Sequence, residues 1–247
     1  MTESATRVAG ASSAALIVAA LVLAACVGRV DSPAPIASTP EGTPMGHAWI
    51  ALFDGSSTAA LRGYGGEAFP ASWVVEDGEL HALAGQGIDL ITRETFADFE
   101  LEFDWRVSPG GNSGVLYRVV EGGEPSWTSG PEYQVLDDAG HPDGGDPLTS
   151  AAALYGLIAP NADKRLEPVG SYDTGRIVVH DGHVEHWLNG SRVVDYDWNG
   201  TEVRPLIDAS KFRDLPSFMS ADTGGVVIQH HGQEVWFRNV RIRRLDR

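Results

Sequence analysis

"FELEFDWRV", residues 99–107, decides the fold. Phe99, Leu101, Phe103, Trp105 and Val107 recur at every second position, with Glu100, Glu102, Asp104 and Arg106 between them. Successive side chains of a strand point to opposite faces. The pattern therefore predicts a strand with one buried and one solvated face. Strands of that kind belong to antiparallel sheets, since parallel sheets are covered on both sides. Three acids fall on the solvated face, which is read as the outside of the molecule.

Neighbouring segments repeat the signal and add turns. "IVVHDGHVEHWLNGSRVVDYD" (177–197) reads as two successive hairpins closed by Asp181-Gly182 and Asn189-Gly190. Both dipeptides accept the positive φ angles of a type I′ turn. "ASWVVEDGELHA" (71–82) reads as another hairpin, turning at Asp77-Gly78. "GGVVIQHHGQEVWFRNVRIRRL" (224–245) is expected to be a final hairpin turning at Gly232-Gln233. No long helical period occurs. The sequence predicts an all-β sandwich of two antiparallel sheets.

Composition agrees. The chain has 247 residues, with 29 Gly and 14 Pro, as many short strands joined by tight turns require. A formal net charge of -16 repels phosphate backbones, so no nucleic-acid partner is expected. With one cysteine no internal disulfide can form.

That cysteine ends an export-like segment. Residues 14–25, "AALIVAALVLAA", form an apolar run of signal-peptide length, too short to span a bilayer comfortably. Leu23-Ala24-Ala25-Cys26 resembles the lipobox of a bacterial lipoprotein. The resemblance implies a signal peptide at 1–25, cleaved before Cys26, and acylation of that thiol. Residues 26–45, rich in Pro, Ser, Thr and Ala, then read as a flexible tether. The folded domain is expected at 46–247, exported and held to a cell membrane or outer membrane by lipid alone.

Candidate site residues lie in three segments. In "GGNSGVLYRV" (110–119), Asn112-Ser113-Gly114 suits a turn entering a strand, and Arg118 is expected on the same face as Leu116. A buried arginine needs a carboxylate or a ligand, because desolvating an unpaired charge is costly. Glu132 is its natural partner. In "PEYQVLDD" (131–138), Glu132 and Gln134 share a face, as solvated positions or as the floor of a polar cleft. In "GGVVIQHHG" (224–232), Val227, Gln229 and His231 share one face, and His230 joins Val226 and Ile228 on the other. Adjacent histidines on a flat strand point apart, so they do not share a metal. "DDAGHPDGGD" (137–146) lacks the spacing of an EF-hand and reads as a plain acidic loop. Neither a Gly-x-Ser-x-Gly elbow nor a phosphate-cradling glycine loop is present. The sequence supports no cofactor and no metal site.

Six segments occur in an order shared with a known family: "ALFDG" (51–55), "GGNSGVLYRV", "PEYQVLDD", "ALYGL" (153–157), "VGSYDTGRIVVHDGHVEHWLNG" (169–190) and "GGVVIQHHGQEVWFRNVRIRRL". Together they resemble the domain of unknown function 1080, now called the 3-keto-disaccharide hydrolase domain, over about residues 48 to 245. Its members are described as 3-keto-glucoside 1,2-lyases and 3-keto-2-hydroxyglucal hydratases. The resemblance implies a concanavalin-like jelly roll with an oxidised (3-keto) oligosaccharide or glycoside on its concave face. Glu132, His231 and Arg118 match motif positions expected to be catalytic. Asn112, Gln134, Asp137 and Gln229 match positions expected to bind substrate. The chain departs from the family in Ser171-Tyr172-Asp173, where Glu-Trp-Asn is frequent, and at His230, where an Asp is frequent.

The chemistry so implied begins with C2 proton abstraction beside the ketone, continues with β-elimination of the C1 oxygen, and ends with hydration. It needs a base, an acid and stabilisation of an enolate. Glu132 and His231 are the acid or base candidates; Arg118, Asn112 and Gln229 are contacts for the oxyanion or hydroxyls. Two other readings stand beside it. A retaining glycosidase needs two carboxylates about 5–5.5 Å apart. A lectin-like binding module needs stacking aromatics, for which Trp127, Tyr155 and Trp198 are exposed candidates.

Overall fold

The computed structural model describes residues 46–122 and 124–246. The expected signal, Cys26 and the tether lie outside the described residues. In chain order the strands are β1 (Ile50–Phe53), β2 (Leu61–Gly63), β3 (Trp73–Glu76), β4 (Glu79–Ala82), β5 (Leu90–Thr92), β6 (Phe99–Val107), β7 (Asn112–Val119), β8 (Glu132–Leu136), β9 (Asp173–His180), β10 (His183–Leu188), β11 (Ser191–Asp197), β12 (Gly225–Ile228) and β13 (Val235–Arg244). One short helix, α1 (Val203–Ala209), precedes β12.

The strands form two antiparallel sheets. The larger runs β11-β10-β9-β6-β13-β4-β3, with β1 also paired to β13; the smaller runs β2-β5-β12-β7-β8. They pack as the sandwich that the alternation predicts, the jelly roll that the resemblance implies. The apolar face of β6 is buried at all five positions, against Tyr117, Tyr133 and Val135 of the smaller sheet among others. Burial of such side chains drives the sandwich together at about 25 cal/mol per Å² of apolar surface.

The outer face of β6 is polar, but its charges are paired. Glu100, Glu102 and Asp104 lie directly opposite Arg243, Arg241 and Arg238 of β13. Glu100 is also 2.7 Å from Arg176, and Arg106 is 2.8 Å from Glu79. Opposite charges facing across a ladder stabilise it. The pairing also buries Glu100, which the alternation alone leaves in solvent.

Asp77-Gly78, Asp181-Gly182 and Asn189-Gly190 all take positive φ, closing β3–β4, β9–β10 and β10–β11 as expected. The expected final hairpin is corrected. β12 belongs to the smaller sheet and β13 to the larger, so residues 229–234 cross between sheets instead of folding back. Gly232 does turn there, at φ 97, and its carbonyl accepts the Gly85 N–H.

A buried polar network joins the sheets beneath the site. His186 Nδ1 lies 3.2 Å from the Ala152 carbonyl, so it carries the proton and donates. Nε2 then accepts from the Tyr117 hydroxyl at 2.9 Å, and Tyr196 donates to Tyr117 at 2.7 Å. Burial pushes the imidazole down to about 4, so it stays neutral at physiological pH. Tyr117 of β7 is thereby pinned to β10 and β11.

Candidate active site

The register of the smaller sheet decides which side chains meet. Leu116 on β7 lies opposite Glu132 on β8 and Val227 on β12. Two residues back, Gly114 lies opposite Gln134, and its carbonyl accepts the Gln229 N–H at 2.9 Å. Period two therefore gathers Asn112, Gly114, Glu132, Gln134 and Gln229 on one face. Part of that face is apolar, where Leu116 and Val227 pack with Ile91 and Val119. The polar part floors a cavity of about 140 Å³, joined at its edge by His231. Its walls come from Trp127, Tyr155 and the segment after α1, which brings Lys211, Phe212 and Phe218. Phe212 and Phe218 stack face to face at 4.0 Å.

Gly114 explains the Asn-Ser-Gly motif. A Cβ at Gly114 would fall 2.7 Å from Glu132 Cδ and 2.8 Å from Cγ, with Oε1 closer still. The Glu132 carboxyl thus lies over a gap left by the missing side chain. Burial raises this carboxyl to about 8; Lys211 opposes the shift, and Asp89 and Asp143 add to it. Lys211 is lowered by its own burial, against the pull of Glu132 and Asp143. Its ammonium sits 4.3 Å from the Tyr155 ring centre and 5.1 Å from that of Phe212. Both side chains line the cavity, and each charge partly offsets the other's burial.

Two amide oxygens on the floor, Asn112 Oδ1 and Gln134 Oε1, are buried and, among the described residues, accept no hydrogen bond. Gln134 Nε2 donates to the Thr149 carbonyl at 3.0 Å, which turns Oε1 the other way. Buried acceptors without protein donors take them from water or from a ligand. Hydroxyl groups are suitable donors. His231 is exposed at the rim, its Nδ1 3.4 Å from Gln233 Oε1.

Five expected site residues converge here: Asn112, Glu132, Gln134, Gln229 and His231. Two do not. Arg118 is the extra residue of a β-bulge: Gly225 pairs with Val119 and Val227 with Leu116, so three steps of β7 face two steps of β12. Arg118 takes φ 52, which swings it off the face of Leu116. Its guanidinium donates to the Ala97 carbonyl at 2.9 and 3.1 Å, pairs with Asp98 at 3.4 Å and covers the Trp198 ring at 4.4 Å. The expected Arg118–Glu132 pair is replaced by Arg118–Asp98. Gly224 permits the bulge, since a Cβ there would sit 2.6 Å from the Arg118 carbonyl oxygen.

Asp137 is the second correction. It lies just beyond β8 and accepts N–H bonds from Gly110, Ala139 and Gly140 at 2.7 to 3.1 Å, organising the acidic loop rather than the cavity. Asp138 in the same loop caps Ala151 N–H and pairs with Lys164 at 2.6 Å. Trp198 is buried, not exposed, while Trp127 and Tyr155 do reach the cavity. His230 turns away and packs edge-on against Trp73. Ser171-Tyr172-Asp173 falls outside the cavity: Arg238 lies over the Tyr172 ring at 3.7 Å, and Asp173 accepts from Asn189 at 2.6 Å. Asp98, His180 and Asp181 bring ligand atoms within 4.8 Å of one another, also outside the cavity and with Arg118 on Asp98.

Comparison with known proteins shows the family and the fold. A family model described as the 3-keto-alpha-glucoside-1,2-lyase-like domain matches residues 48–243. A 3-keto-disaccharide hydrolase from Bacteroides thetaiotaomicron is 37% identical over 229 residues, 80% of this chain and 79% of that protein. A crystal structure from Parabacteroides distasonis, titled as a candidate glycosyl hydrolase, superposes with a TM-score of 0.75 at 29% identity, covering 80% of this chain and 94% of that one. A second from the same organism, similarly titled, gives 0.63 at 25% identity, covering 81% and 100%.

Proposed function

The chain belongs to the 3-keto-alpha-glucoside-1,2-lyase-like family and is a glycoside-cleaving enzyme, and on that premise we propose that it cleaves 3-keto glycosides by elimination and hydration. Glu132 takes the proton from C2, and the electron pair forms an enolate with its charge on the C3 oxygen. Lys211 stabilises that charge as the cation of the cavity, the role Arg118 lacks the position to fill. The enolate then restores the C3 carbonyl and expels the C1 oxygen, which takes a proton from His231 at the rim. Water adds to C1 of the resulting enone and C2 regains a proton, giving a free 3-keto sugar. Asn112 Oδ1 and Gln134 Oε1 accept hydroxyl donors from the same ring.

One feature of the cavity carries this reading over a retaining glycosidase. Among the described residues Glu132 is the one carboxylate in its lining, where a retaining enzyme places two. A carboxyl raised to about 8 suits the abstraction of a weakly acidic C–H proton. The test is aglycone release from matched 3-keto and unoxidised glucosides. Turnover confined to the 3-keto form supports the proposal, and equal turnover of both sinks it. The same proposal seats the domain outside the cytoplasm on a lipid at Cys26, supported by the apolar run that ends in Leu23-Ala24-Ala25-Cys26.

A further inference from the structure

Trp127 is presented outward by a rigid pedestal. It is 38% exposed, yet both neighbours in the single turn Ser126–Thr128 are buried. Ser126 Oγ donates to Asp89 at 2.6 Å, Thr128 Oγ1 to the Pro125 carbonyl at 2.7 Å, and Ser217 Oγ to the Thr128 carbonyl at 3.0 Å. An exposed tryptophan whose backbone is fixed on both sides keeps a flat apolar face in one place. Here that face lines the mouth of the cavity, whose floor is far less exposed: Gln134 is 1%, Asn112 3% and Glu132 9%.

We propose that Trp127 is the stacking platform of a leaving-group subsite, occupied by the second sugar ring of the substrate. This rests on the elimination reading above, which puts the oxidised ring over Glu132 and directs the leaving oxygen outward past His231. The depth order leaves the rim for the second ring, and Trp127 is the rim's apolar surface. A pyranose offers a C–H face to the indole and hydroxyls to its surroundings. The surroundings are polar: Lys211, its ammonium 5.6 Å from the Trp127 ring centre, and His231 line the same cavity. The polar rim beside the indole suits the hydroxyls of a sugar better than an aromatic aglycone, which would use the indole alone. Stacking on a preplaced aromatic face strengthens binding without touching the reacting atoms.

The test compares the parent with Trp127→Ala and Trp127→Phe on two 3-keto substrates, a disaccharide and the methyl glucoside. Trp127→Ala should raise KM for the disaccharide roughly threefold to tenfold, well beyond its effect on the methyl glucoside, with the loss in KM rather than in kcat; Trp127→Phe should recover most of the loss. A nitrophenyl 3-keto glucoside forms a third arm, and a larger loss there than on the disaccharide assigns the platform to aryl groups and overturns the sugar subsite. Equal effects on disaccharide and methyl glucoside, or none on either, also overturn it. Calorimetric titration with cellobiose and maltose separates the two proposals. A parent that cleaves no 3-keto glycoside, yet binds one disaccharide through Trp127, refutes the reaction and keeps the subsite. A parent that binds neither disaccharide and cleaves no 3-keto glycoside refutes both.

Discussion

Gly114→Ala isolates the placement of one carboxyl. The added methyl would meet Glu132 Cδ at 2.7 Å and Cγ at 2.8 Å, where relaxed carbon contacts are about 3.5–4.0 Å. Backbone on β7 is held by pairing on both sides, to β8 and β12, so the side chain gives way. The carboxyl must therefore move by about 1 Å, into the cavity. Misplacing a catalytic group by that distance costs about 10²-fold in rate, whereas the strain of one extra methyl costs about 1–3 kcal/mol in stability. The displaced carboxyl is also less desolvated, so the rise of kcat/KM with pH, expected near 8 in the parent from its buried carboxyl, should move to lower pH. The assay is initial-rate aglycone release from a 3-keto glucoside across pH 5–10, with thermal unfolding alongside. Gly66→Ala serves as control, since nothing lies within 4 Å of its added methyl. Parental turnover with an unmoved pH profile in Gly114→Ala would refute the placement of Glu132 over that gap.

Glu132→Gln should be inactive but more stable than the parent at alkaline pH. The unfolded carboxyl ionises near 4.5 while the folded one keeps its proton to about 8, so parent stability falls as pH rises through that window, by up to about 5 kcal/mol above pH 8; denaturant unfolding at pH 4 and pH 9 measures it, and identical pH dependence of the two proteins would contradict it. Arg118→Ala should lose ~3–5 kcal/mol by breaking the buried pair with Asp98, with an unchanged KM in the folded fraction because Arg118 does not line the cavity; a large KM change at parental Tm would contradict it. Cys26→Ser should abolish membrane attachment or leave the precursor uncleaved, read by fractionation and mass spectrometry; an unacylated mature N-terminus elsewhere in the wild-type protein would overturn the anchor.

Much of the fold was legible because period two and Asp-Gly or Asn-Gly turns are local signals. The face of β6 and three hairpins needed nothing beyond them. The segment after β12 misled because a strand signal does not say which sheet the strand joins; Gly225–Ile228 and Val235–Arg244 both read as strands yet part company. Arg118 misled for a sharper reason. A bulge shifts the alternation by one residue, and an arginine at φ 52 carries no local mark of it; the paired glycines 224 and 225 opposite were the available hint. Asp137 was expected at the site because it matches an acid of the resembled family's motif, but the strand ends at Leu136 and the next carboxylate turns to the loop's own N–H groups. Lys211 was missed because it reaches the cavity on an irregular segment, placed there by tertiary packing. Its rarity was the available signal, since the chain holds two lysines against sixteen arginines.

The most direct test of the elimination account is hydrogen exchange at C2. A 3-keto glucoside is incubated in heavy water with the enzyme and followed by NMR. Proton abstraction by Glu132 predicts deuterium at C2 of the free 3-keto sugar, and loss of both deuteration and aglycone release in Glu132→Gln. Aglycone release by the parent with the C2 hydrogen fully retained would contradict the account, since cleavage would then proceed without the enolate.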